Sequence, residues 1–116
     1  MAKYSKQDAL YELKELESGL LSKTEKLLRD KNIDRIAEIL ISIDNEIYQT
    51  EREARRLRLM GRLDYEVYST LMDGYVELQK RIIELSEKHG LAKDVKSMYS
   101  FLRIEASLAN RRKVRA

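Results

Sequence analysis

Large apolar residues recur in this chain alternately three and four positions apart over long stretches, and no proline interrupts them. That spacing holds them on one side of an α-helix and would scatter them over both faces of a strand, so the chain is confined to helical architectures. The clearest stripe is Ile36, Leu40, Ile43, Ile47, Thr50, Ala54 and Leu57. It is a heptad seam on a helix predicted from about 33 to 60, with a length of about 40 Å. A second seam follows at Tyr68, Leu71, Tyr75, Leu78, Ile82, Leu85 and His89.

Cap-forming residues divide the chain into four helices. Ser5 with Asp8 has the form of an N-terminal cap for a first helix over about 6–29, whose stripe is Leu13, Leu16, Leu20 and Leu27, widened by Leu10, Leu21 and Leu28. Gly61 ends the second helix and Asp64 caps the third. Gly90 ends the third, and Leu91 is placed to fold back on its last turn. Asp94 is predicted to start a fourth helix with Val95, Met98, Leu102, Ala106 and Ala109 inward, trailing into a basic tail over about 110–116. The short breaks at 30–32, 61–64 and 90–93 favour antiparallel neighbours. The expected fold is all-α: one domain over 1–116, an antiparallel four-helix bundle with long, coiled-coil-like second and third helices. The two seams either pair with each other or drive self-association through the middle helices.

Composition excludes much chemistry. Without cysteine there is no disulfide, no thiolate nucleophile and no cysteine-based zinc site, and a single histidine excludes multi-histidine metal centres. His89 has Ser86, not an acid, three positions before it, so the Glu-x-x-His spacing of di-iron bundles is absent, and a helix end explains the imidazole. No Gly-rich phosphate loop and no nucleophile elbow occurs. With 37% charged residues no stretch is apolar enough to span a bilayer, and MAKYSKQDALYELK lacks the apolar run of a signal peptide, so a cytoplasmic protein is expected. Neither a cofactor nor a metal is expected.

Charge is unevenly distributed. Residues 1–50 hold 8 bases and 10 acids, whereas residues 51–116 hold 15 bases and 10 acids. Arg52, Arg55, Arg56, Arg58 and Arg62 crowd the end of the second helix, and Arg111, Arg112, Lys113 and Arg115 crowd the chain terminus. Guanidinium forks suit phosphates or carboxylates, so these nine residues are candidate contacts to nucleic acid or to an acidic partner protein. Acids placed four residues before bases, as in Glu51 with Arg55, Glu77 with Arg81 and Glu84 with Lys88, read as solvated faces. Among seven tyrosines, Tyr68, Tyr75 and Tyr99 fall on or beside apolar stripes, and Tyr4, Tyr11, Tyr48 and Tyr65 are expected partly exposed. Tyr48, Leu57, Leu59, Tyr68 and Tyr75 are the candidate protein-interface residues. Gly74, inside the third helix, either admits another helix closely or permits a kink.

From Arg81 onward, RIIELSEKHGLAKDVKSMYSFLRIEASLANRR resembles the last two helices of the all-helical chorismate mutase family over under a third of the chain. Glu105, Ser107 and Arg111 fall where that family places a glutamate, a serine and a glutamine, and Ile43, Asp44, Glu46 and Ile47 loosely resemble its first helix. The resemblance implies a mutase-like enzyme using the bundle interior, with Ser107 facing substrate. This sequence departs from the pattern where the family's substrate-holding Arg-Glu pair would fall at Gly74 and Tyr75, and its loop lysine has no counterpart between Leu63 and Tyr68. The expected function is therefore a non-catalytic accessory or scaffold protein that docks an acidic surface, with the divergent enzyme and a purely structural, self-assembling helical protein as alternatives.

Overall fold

Ser5 accepts a hydrogen bond from the Asp8 amide (3.3 Å) and its own amide donates to Asp8 Oδ2 (2.9 Å), a reciprocal cap that starts the first helix. In the computed structural model, which describes residues 3–115 and side chains as far as Asn110, four helices follow: α1 (Lys6–Arg29), α2 (Ile33–Leu59), α3 (Tyr65–Lys88) and α4 (Ala92–Arg115). No strand occurs among the described residues. Asn32 caps α2 by accepting from the Arg35 amide, and Asp64 caps α3 by accepting from the Glu66 and Val67 amides.

All three interhelical turns close in the same way. In each, the residue in the left-handed region and the one after it return their amides to the preceding helix: Lys31 to Leu28 and Asn32 to Leu27, Gly61 to Arg58 and Arg62 to Leu57, Gly90 to Glu87 and Leu91 to Ser86. Because Leu91 is held in the third turn, its carbonyl receives the Val95 amide and α4 begins at Ala92. Asp94 thus sits in the first turn of α4 rather than ahead of it. The basic segment after Ala109 continues as helix to Arg115.

The core lies at the end of the molecule that carries the 30–32 and 89–91 turns. There Leu28, Ile36, Ile39, Leu40, Ile43, Leu78, Ile82 and Val95 pack together, one group contributed by all four helices. The polar side chains among them are satisfied within their own helices: Thr24 donates to the Leu20 carbonyl and Ser86 to the Ile82 carbonyl, and both are fully buried. Toward the other end burial falls away to Ala9 and Ala54.

α1 lies most extensively along α3, with Lys6 beside Glu66, Leu13 against Gly74 and Glu17 paired with Arg81, so these two helices run in the same direction. A Cβ at Gly74 would stand 2.4 Å from Leu13 Cδ1, so this glycine serves close approach. α4 packs mainly on α2 and secondarily on α3. The molecule measures 45 × 41 × 18 Å, with a radius of gyration of 16.2 Å against about 13 Å for a compact domain of this length.

Four expected inward positions are overturned. Leu10 and Leu16 are exposed, because α1 turns Ala9 and Thr24 inward to approach its neighbours closely. Ala106 and Ala109 are also exposed, since every described side chain of α4 beyond Leu102 is.

Candidate functional site

The distal half of α2 is almost wholly polar, so it contributes one thin apolar line to the fold and presents the rest to solvent. Tyr48, Arg52, Arg55 and Leu59 are spaced 4, 3 and 4 apart and lie along one exposed face. Leu59 is 90% exposed and Tyr48 56% exposed, and the Arg52 guanidinium stands 5.8 Å from the Tyr48 ring centroid. The contact sets the cation over the π-face of the ring.

Arg56 differs from its neighbours. Its Nη2 is 2.5 Å from Glu53 Oε1 and its Nε 3.1 Å from Glu53 Oε2, and a further contact reaches the Met60 sulfur at 3.6 Å. This fork holds the Glu53 carboxyl below its ordinary range and raises the guanidinium in turn. Arg56 is therefore already engaged, whereas Arg55 and Arg58 bond to no side chain among the described residues. Of the expected acid–base pairs, Glu77 with Arg81 forms at 3.6 Å; Glu51 with Arg55 and Glu84 with Lys88 do not.

The interface candidates do not form one surface. Leu57 and Tyr68 turn away from the arginine face and line, with Ala54, Leu63, Val67 and Leu71, an open apolar groove of about 380 Å³ between α2 and α3, with Arg62 at its rim. Tyr75 lies in a separate depression of about 330 Å³ beside Glu12 and Glu46. Burial foremost, with the Glu46 and Glu12 charges, raises the Tyr75 phenol. The side chains of Arg111, Arg112, Lys113 and Arg115 lie outside the described residues.

One polar junction was not anticipated from sequence. Asp44 Oδ2 accepts from the Tyr99 hydroxyl (2.5 Å), Asp44 Oδ1 accepts from Gln79 Nε2 (2.8 Å), and the same amide donates to the Leu40 carbonyl (3.1 Å). Arg103 stands 3.8 Å from Asp44 and 5.5 Å from the Tyr99 ring centroid. Burial first, then the bond to Asp44 and its charge, push the Tyr99 phenol up to about 12. The junction ties α4 to α2 and α3 where the core ends.

Of the residues that the mutase resemblance would make functional, Arg111 has its side chain outside the described residues. Glu105 and Ser107 are exposed on distal α4, where Glu105 borders an open cleft with Glu38 and Ile41. The position corresponding to the substrate-holding arginine is Gly74, and Leu13 of the additional helix fills the space beside it. Among the described residues no three His, Cys, Asp or Glu side chains are grouped to hold a metal, and no helix is long and apolar enough to cross a membrane. No protein-family model, curated protein or solved structure matches this chain.

Proposed function

We propose that this protein is a non-catalytic helical accessory or scaffold protein of the cytoplasm that binds an acidic surface through its arginine-rich patches. In this reading its single bundle has antiparallel consecutive helices, and α2 and α3 mesh as a short coiled coil. The observation that carries the reading is the exposed line Tyr48, Arg52, Arg55 and Leu59, with Arg58 one turn from it. Arginine forks without an internal acceptor, interleaved with an aromatic ring and an exposed leucine, match the composition of binding hot spots. Arg55 and Arg58 then supply the principal charge contacts, while Arg56 keeps its partner Glu53.

The test is fluorescence anisotropy with duplex DNA, single-stranded RNA and an acidic peptide, each titrated from low to physiological salt. Binding to at least one is expected, and Arg55→Gln with Arg58→Gln should weaken it about tenfold and flatten its salt dependence. Absence of binding to every probe at low salt sinks the proposal.

A further inference from the structure

Helix α4 is apolar on two sides. Val95, Met98 and Leu102 face the bundle, and Phe101, Ile104 and Leu108 form a second, exposed line at spacings of 3 and 4, whose last member also borders the cleft with Glu38 and Ile41 of α2. These three are 54%, 62% and 47% exposed, and together they leave on the order of 300 Å² of apolar surface in water. A helix greasy on both faces is normally covered on both. From Val95 onward, besides Arg103, which already faces Asp44, the chain carries Lys96, Arg111, Arg112, Lys113 and Arg115 against a single acid, Glu105.

We infer that the outer face of distal α4 is a docking surface for an acidic amphipathic helix of a partner protein. This rests on the acidic-surface reading above and names the partner for its second patch. Charge selects among the occupants. A second copy brings the same cationic excess to the same face, so α4 pairing with α4 is repelled. Duplex phosphate is satisfied by cations alone and gives no return for seating Phe101, Ile104 and Leu108. A membrane surface rewards an apolar face that runs the length of the helix, whereas this strip covers two turns and begins only after Ser97. A partner helix with apolar residues at matching spacing and carboxylates at its edges satisfies both the strip and the cations. The small residues Ser97, Ser100 and Ser107 beside the strip permit that helix to approach closely.

The experiment uses the full chain and three probes, each titrated from low to physiological salt: a synthetic helix with leucine at its core positions and glutamate on both flanks, duplex DNA, and vesicles containing phosphatidylserine. The synthetic helix is expected to bind most tightly. Combined Phe101→Gln, Ile104→Gln and Leu108→Gln should weaken it at least about tenfold with the circular dichroism of the fold unchanged. Combined Arg111→Gln, Arg112→Gln and Lys113→Gln should weaken it and reduce its salt dependence. Equal binding by the apolar variant overturns the inference, as does tighter binding of DNA or vesicles than of the helix. DNA binding without helix binding overturns this inference alone, and no binding to any probe at low salt overturns the acidic-surface reading as well.

Discussion

Lys31 has φ of 54°, the position that Gly61 and Gly90 fill in the other two turns. A side chain in the left-handed region crowds its own carbonyl, and here the two returning amides enforce that conformation. Lys31→Gly is expected to raise stability by about 0.5–1 kcal/mol, the relief of strain exceeding the added freedom of the unfolded chain. A urea melt with an unchanged or lower midpoint would count against the assignment. The Tyr99 phenol gives a second test. Its folded pKa of about 12 lies above the unfolded value near 10, so the folded state keeps a proton that the unfolded state loses. Its contribution is complete below the unfolded value and is lost as pH rises through the folded one. Stability should therefore decline between about pH 10 and 12. Tyr4 and Tyr75, whose phenols are also raised, contribute in the same direction. Tyr99→Phe should make that decline shallower, and denaturation midpoints measured across this window, identical in slope for the two proteins, would refute the raised Tyr99 phenol.

At the scale of the helix, two glycines of the same type should behave oppositely. A Cβ at Gly19 meets nothing within 4 Å, so Gly19→Ala should gain about 0.5–1 kcal/mol from helix propensity. At Gly74 the same methyl meets Leu13, so Gly74→Ala should lose that gain to displacement of α1. In a Leu13→Ala background the alanine should recover it. A double-mutant cycle without coupling would show that α1 and α3 are not held in this register. The helix ends were legible because caps are local chemistry: Ser5 with Asp8, Asp64 and Gly90 act within a few residues of themselves. The partners of each face were not. Ala9, Thr24 and Ser86 are fully buried, yet a stripe drawn from large apolar residues passes over them. Burial of small side chains records how closely two helices approach, which depends on the other helix. The arginine cluster of α2 was legible as composition, while the engagement of Arg56 by Glu53 and the Asp44 junction depend on rotamers and on contacts as many as 55 residues apart. Phe101, Ile104 and Leu108 show helical spacing in the sequence, but the inner stripe of the same helix conceals which of the two faces is covered.

Across the whole molecule, cohesion and accessibility are separated. One end holds the large, fully buried side chains, including Leu28, Ile36, Leu40, Ile43, Ile82 and Val95. The other end carries the apolar groove and the exposed arginines of α2, and no described side chain of α4 beyond Leu102 is buried. A chain so divided can change its binding surfaces at little cost to its fold. Removing residues 104–116, with Arg103 retained beside Asp44, should therefore lower stability by less than about 1 kcal/mol, because every described apolar side chain in the segment is exposed. By contrast, Ile82→Ala at the closed end should cost about 2–4 kcal/mol, since Ile82 is fully buried in the core to which all four helices contribute. Hydrogen exchange should show the same division. Amides around Ile43, Leu78 and Ile82 should exchange only through global unfolding, while those from Ile104 to Asn110 should exchange through local opening. The truncated chain should keep the slow class intact and lose the fast one. If removing these residues instead erased protection around Ile82, distal α4 would belong to the cooperative core, and its outer face could not act as an independent docking surface.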